Sequence, residues 1–172
     1  MSCTTARPRL CGPVTSDERH TLTTFHAILG SLVLLVNGAA GVWGAWLWWR
    51  AEPQPAFWAV LRTGQILLVV QILLGGVLMA LGKEPPSLHV LYGALPLGIV
   101  FLAEQLRLVA AEQVLERRGL HEAREMEALP EFDQRVIVRE IVRRETGIVA
   151  AGALVVVVLA ARAAGVAGFL PV

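Results

Sequence analysis

Two histidines near the starts of long apolar segments are the residues of this chain best suited to chemistry. His26 and His89 are each followed four residues later by a glycine, at Gly30 and Gly93. In a helix, each imidazole would therefore have bare backbone one turn along on its own face. Imidazole is the commonest metal ligand in proteins, and two of them from separate helices can hold a porphyrin iron between them. The pattern predicts haem binding, with His26 and His89 as the iron ligands.

Five further residues are candidates for contact with the same group. Gly75 and Gly76 would thin the wall of the next helix at a comparable depth, which leaves room for a flat macrocycle. Lys83 and Arg162 could supply counter-charges to haem propionates. Tyr92 follows His89 by three residues and could donate a hydrogen bond near the cofactor or simply pack.

The elements that must position these residues are four long apolar segments, at about 25–49, 57–81, 88–103 and 147–170. The chain has 172 residues, of which 55% are hydrophobic and 17% charged, and the charge falls mostly between the segments. A helix of roughly 20 apolar residues crosses a bilayer. We therefore expect an all-α integral membrane protein, an up-down-up-down bundle with a polar tail at 1–20 and a transmembrane domain at 21–172. Its helices are predicted at about 21–49, 57–82, 87–118 and 131–168.

Arginine placement predicts the orientation in the membrane. More arginines flank the 50–62 connection and the long 104–145 segment than the other side, and the side richer in positive charge is usually cytoplasmic. Both termini and both histidines would then lie at the outer face of a bacterial plasma membrane. The cluster Trp43, Trp46, Trp48 and Trp49 is typical of an aromatic belt at the inner interface.

The 104–145 segment is the only sizeable part outside the apolar segments. Gly119 and Pro130 divide it, and Glu131 and Asp133 follow Pro130 as expected for the first turn of a helix. We expect a cytoplasmic helical hairpin between helices 3 and 4. It could dock on a partner, or it could be a solvated extension of two helices.

The cysteines and the net charge give no indication of a zinc site or of a nucleic acid partner. Cys3 and Cys11 precede the first apolar segment, where they could form a disulfide or remain as two free thiols. Their spacing matches no zinc pattern. A formal net charge of +1 gives no reason to expect a nucleic acid partner.

Each candidate also has an ordinary structural interpretation. A histidine at a helix end can be a simple interfacial residue, and small residues are common where membrane helices pack. Asn37, Gln65 and Gln71 lie within apolar segments, where they could bind a quinone head group or form hydrogen bonds between helices. The matched depth of the two histidines, each with its glycine, favours the ligand interpretation.

Three short motifs resemble one four-helix half of a haem A synthase. They are His26-Ala-Ile-Leu-Gly-Ser-Leu, Gln71-Ile-Leu-Leu-Gly-Gly-Val and Leu88-His-Val-Leu-Tyr-Gly-Ala, and the resemblance spans about residues 21–107. It implies that His26 and His89 are axial haem ligands in a cytochrome b-like bundle. The family's catalytic helix reads Glu-x-x-His-Arg, whereas Thr23 and Ala27 stand at the corresponding positions here. The resemblance therefore implies a haem site without the family's catalytic acid.

Three functional hypotheses remain open at this point. The first is a haem b protein that transfers electrons, exchanging them with quinol or a redox protein, as a subunit of or partner to a respiratory assembly. The second is a structural or assembly subunit without a cofactor, which would contact the lipid bilayer and other subunits or copies of itself. The third is an enzyme of haem modification.

Overall fold

Four long α-helices form the protein. The computed structural model describes residues 16–52, 54–120 and 123–168. In these ranges the helices are α1 (Ser16–Arg50), α2 (Pro55–Ala80), α3 (Ser87–Arg117) and α4 (Glu131–Val166), with a short 3-10 helix at Ala123–Ala128. All four helices are long and apolar enough to cross a membrane. The prediction of a multi-pass, all-α membrane protein is confirmed at this level.

Proline and glycine fix where the helices begin and end. Pro55 occupies the first turn of α2, where its missing N–H costs nothing. Gly82 and Gly119 follow α2 and α3 with φ of 85° and 72°, a left-handed conformation that favours glycine after a helix. Glu131 and Asp133 lie in the first turn of α4, where they favour the positive end of the helix dipole.

Neighbouring helices run in opposite directions. Along α1 and α2 the contacting pairs progress from His26 with Gly75, through Asn37 with Gly64, to Gly44 with Phe57. The α1–α4 and α3–α4 pairs are closely packed as well, whereas α2 and α3 make few contacts. The bundle therefore has three tight seams and one loose seam, between α2 and α3.

Glycines let α1 approach its neighbours closely. A Cβ atom on Gly44 would lie 2.7 Å from a ring carbon of Phe57 and 2.8 Å from the Ala150 Cβ. A Cβ on Gly41 would lie 2.6 Å from a methyl carbon of Leu154. Small residues at such contacts are the usual means of packing membrane helices, because lipid offers no hydrophobic drive for association.

The core is apolar in the middle of the bundle, and so is much of the outside. One buried cluster joins Leu47, Phe57 and Leu61 with α4, and another joins Val33, Leu68 and Val156. Large exposed apolar residues lie on every long helix, including Leu35, Ile66, Phe101 and Val158. An exposed apolar surface of this extent suits contact with lipid.

Tryptophans and arginines collect at one end of the bundle, here called the arginine end, where α1 finishes at Arg50. The Arg50 guanidinium lies 4.9 Å from the ring centroid of Trp46, and that of Arg143 lies 5.6 Å from the Trp48 centroid. Such contacts are attractive and keep cationic groups beside interfacial aromatic rings. The opposite end, with His26, His89 and the 81–86 connection, is called the histidine end.

The predicted hairpin between α3 and α4 is not seen. Between these helices the described residues contain only the short 3-10 helix at Ala123–Ala128, and the charged residues on either side belong to α3 and α4 themselves. Val114, Leu120 and Ile137 form a buried cluster at this junction. Gly119 and Pro130 divide the 104–145 segment and therefore favoured a separate helical hairpin. In the structure, Gly119 follows the end of α3 and Pro130 directly precedes α4.

One polar network bridges the loose seam at the arginine end. Glu104 of α3 accepts hydrogen bonds from the two Arg62 guanidinium nitrogens at 2.8 and 3.2 Å and from Gln65 Nε2 at 3.0 Å. The Arg107 guanidinium lies 3.1 Å from the same carboxylate and stacks over Trp58. Long side chains thus span a gap that the two backbones leave open.

Replacing Gly44 with alanine should destabilise the bundle. The new methyl group would press on Phe57 and Ala150, and overpacking of this kind costs about 1–3 kcal/mol. The measurement is unfolding in a mixed-detergent titration followed by circular dichroism. Gly98→Ala is the matched control, because nothing lies within 4 Å of a Cβ there. Equal stability of the two variants would contradict the packing described for α1.

Replacing Glu104 with alanine should also lower the free energy of unfolding. The Glu104 side chain is 20% exposed and holds two arginines, so we expect a loss of about 1–2 kcal/mol after allowance for solvent screening. The same titration measures it, with Glu112→Ala, an exposed carboxylate on the same helix, as the control. A Glu104→Ala protein as stable as the control would show that the network does not hold α2 to α3.

Candidate functional site

His26 and His89 meet across the histidine end of the bundle. They come from α1 and α3, the two helices that run in the same direction, and their ring centroids are 6.2 Å apart with an angle of 62° between the planes. Both side chains are half-buried. Two imidazoles separated by 63 positions in the sequence are thus neighbours in the fold.

A cavity of about 710 Å³ surrounds the two rings and is lined by all four long helices. Its size lies in the range of small-molecule and cofactor sites. Seven of the nine predicted site residues line it, namely His26, Gly30, Gly75, Gly76, Lys83, His89 and Gly93. The other two do not: Tyr92 is half-buried outside the lining, and Arg162 is exposed.

A backbone hydrogen bond orients the His89 ring. Its Nδ1 lies 2.9 Å from the carbonyl oxygen of Ala163 on α4. A carbonyl only accepts hydrogen bonds, so Nδ1 must carry the hydrogen and, in the neutral ring, Nε2 carries the lone pair. Metal-binding histidines are commonly held in this way by a bond from the second ring nitrogen. His89 is therefore pre-oriented with a defined tautomer.

Gln71 holds the His26 ring from α2. The side-chain nitrogen of Gln71 lies 3.3 Å from His26 Nε2. Among the described residues, two buried atoms of this pair have no hydrogen-bond partner, His26 Nδ1 and Gln71 Oε1. Buried polar atoms are rarely left unsatisfied in folded proteins, and an absent ion or ligand is one common reason. The pair therefore has the unsatisfied polar capacity expected beside a bound group.

The four predicted glycines serve two different purposes. A Cβ on Gly75 would lie 3.2 Å from His26 Cε1, and one on Gly30 would lie 3.0 Å from Gln71 Nε2. These two glycines make room for the His26 and Gln71 side chains. Nothing lies within 4 Å of a Cβ on Gly76 or Gly93, so these two leave open space beside the cavity. Only the second pair has the open space predicted for a macrocycle.

Alanines at the end of α4, and one directly after it, form a cavity wall that was not predicted from the sequence. They are Ala160, Ala163, Ala164 and Ala167. Their spacing of three, four and seven residues places them on one face of a helix, and this signal could have identified them. Gln71 was noticed in the sequence, but only the structure shows its contact with His26.

An apolar layer separates the cavity from the polar groups deeper in the bundle. Val33 and Leu68 line the cavity and belong to the buried cluster with Val156. Below it, Asn37 is 1% exposed and donates to the carbonyl oxygens of Val33 and Gly64 at 2.9 and 3.2 Å. The space beside Asn37 and Gln65 measures about 10 Å³, enough for about one water molecule. These residues form interhelical hydrogen bonds, and this space is too small for a quinone head group.

Two further observations concern metal ligands and the cysteines. Among the described residues, no group of three or more histidine, cysteine, aspartate or glutamate side chains is placed to hold a metal ion. Cys3 and Cys11, which could form a disulfide or remain as free thiols, lie outside the described residues.

Comparison with known proteins identifies no family. No family model, curated protein or solved structure matches the chain. The likeness to a haem A synthase half accordingly rests on its short motifs, and the site must be interpreted from its own geometry.

The tautomer of His89 can be tested without any ligand. Protein labelled with ¹⁵N-histidine and held in detergent at about pH 9, where an ordinary imidazole is neutral, should show an Nδ1-protonated ring that belongs to His89. That signal should disappear in His89→Gln and persist in His20→Gln, which changes an exposed residue. A His89 ring protonated at Nε2 would contradict the hydrogen bond to Ala163.

Proposed function

We propose that this protein is a haem b binding membrane protein of electron transfer, with His26 and His89 as the two axial ligands. The observation that carries the proposal is the meeting of two imidazoles from separate helices across one cavity, 6.2 Å apart. An imidazole nitrogen lies about 2 Å from a bound metal ion. Two rings that held one ion between them would therefore have their centroids about 6 Å apart.

The residues around the rings fit a flat apolar group with one acidic edge. The cavity lining consists mostly of small and aliphatic residues, with open space beside Gly76 and Gly93. Lys83, at the histidine end of the same lining, is exposed and is the candidate partner for propionates. Arg162, the other predicted counter-charge, does not line the cavity, so the proposal does not use it.

The protein's own residues set the position and surroundings of the ligands. Ala163 holds His89 in one tautomer, and Gln71 contacts the ring of His26. Apolar walls keep the local dielectric low, which is one of the means by which proteins set a redox potential. When bound, the haem would supply one-electron redox chemistry, and two histidine ligands would leave its iron no open coordination position.

The distribution of arginines supports one orientation of the protein in the membrane. The arginine end carries most of the arginines of the described residues, so we place it at the cytoplasmic face and the histidine end at the outer face of a bacterial plasma membrane. Electrons would then be exchanged near the outer face, with quinol or with a redox protein. The charged ends of α3 and α4 would lie in the cytoplasm, where another subunit of a respiratory assembly could dock.

Spectroscopy of the purified protein tests the assignment. A reduced-minus-oxidised spectrum should show sharp low-spin haem bands, and a pyridine haemochrome assay should give about one haem per chain. His26→Ala or His89→Ala should abolish these six-coordinate bands, because each removes one axial ligand.

His20→Ala is the matched control and should keep the spectrum, because His20 is exposed and does not line the cavity. Unchanged bands in both His26→Ala and His89→Ala would overturn the ligand assignment. A protein that stays colourless after haem is supplied would overturn the proposed function and favour an assembly subunit.

A further inference from the structure

The loose seam between α2 and α3 leaves one side of the cavity open. Four cavity-lining residues are themselves exposed there, Gly76 and Met79 on α2 and Val90 and Ala94 on α3. Met79 is 46% exposed and Val90 is 37% exposed. Their spacings of three and four residues place each pair on one helix face. These four residues, here called the rim, border an opening towards the outside of the bundle.

The other sides of the cavity are formed by packed helices and by the 81–86 connection. The tight α1–α4 seam forms the back, and the buried Val33, Leu68 and Val156 form the floor. Above the cavity the 81–86 connection contributes Lys83, Glu84 and two prolines to the lining. Backbone bonds from Leu81, Gly82 and Lys83 to the end of α2 keep this connection compact.

The rim faces the outer part of the bilayer. Helix α2 has 26 residues and is about 39 Å long, longer than a hydrocarbon core of about 30 Å. Gly76 and Met79 are within four residues of its end at Ala80. They therefore lie near the boundary between acyl chains and head groups, where a molecule with an apolar body and acidic groups collects.

From these observations we infer that the cavity is loaded sideways from the membrane, through a portal between Gly76 and Met79 on one side and Val90 and Ala94 on the other. The inference rests on the proposed function for its ligand, an amphiphilic macrocycle dissolved in the bilayer. The apolar rim admits the flat body, while Lys83 at the top of the portal receives the acidic edge. The Glu104 network, at the far end of the same seam, keeps α2 and α3 joined below the opening.

The portal can be tested without haem by labelling a cysteine at the back of the cavity. Ala160→Cys is placed in the full chain with Cys3→Ser and Cys11→Ser, and the protein is reconstituted in phosphatidylcholine vesicles. Ala160 lines the cavity from α4, away from the rim. It should react with N-(1-pyrenyl)maleimide dissolved in the bilayer. It should react much more slowly with a charged methanethiosulfonate in the water.

Bulky residues on the rim should slow the labelling from the bilayer. We expect Met79→Trp and Ala94→Phe, on opposite sides of the portal, each to slow it about tenfold, which corresponds to about 1.4 kcal/mol of added barrier. Val77→Phe is the control, since Val77 is exposed on α2 but does not line the cavity, and it should leave the rate unchanged. Having one variant on each helix guards against the misfolding of either.

Two results separate this inference from the proposed function. Rim variants that label as fast as the control, or a cysteine that reacts only with the charged reagent, would overturn the portal, even if haem is bound. Rim-dependent labelling of the Ala160→Cys protein, together with a wild-type protein that takes up no haemin from vesicles, would keep the portal and overturn the haem assignment. Where haemin is taken up, the two rim variants should slow that uptake as well.

Discussion

Glycine allows α1 to pack closely against two helices at once. Gly41 and Gly44 leave no space for a side chain against Leu154, Phe57 and Ala150, so α1 is fixed between α2 and α4. Helix α3 is attached through α4, because the α3–α4 seam is tight and the α2–α3 seam is not. The fourth seam, between α2 and α3, is wide, and the cavity lies at its histidine end.

The wide seam is filled differently at its two ends. At the arginine end, long side chains bridge it through the Glu104 carboxylate. At the histidine end, alanine and glycine line it, and nothing of the described chain fills the space beside Gly76 and Gly93. The apolar cluster of Val33, Leu68 and Val156 lies between these two regions. The same wide seam thus holds an interhelical ion-pair network at one end and a cavity at the other, with an apolar layer between them.

The four spans could be predicted from the sequence because length and apolar content decide them almost alone. The meeting of His26 and His89 could be predicted as well, because each histidine is the second residue of its apolar segment and the two segments run in the same direction. The face of the helix on which a side chain lies was harder to predict, because neighbouring residues in a helix point in different directions around its axis. Tyr92 and Arg162 have suitable depths, yet they do not line the cavity. Likewise, no periodicity shows that Gln71 fills the space beside Gly30.

The two histidines are held by groups of different kinds, and this difference matters for the proposed haem site. His89 is fixed by a main-chain carbonyl of α4, which no side-chain substitution at position 163 removes. His26 is held by the side chain of Gln71 on α2, the helix on one side of the loose seam. In the proposed haem site, His89 would therefore be the ligand oriented by the main chain, and His26 the ligand held by a side chain.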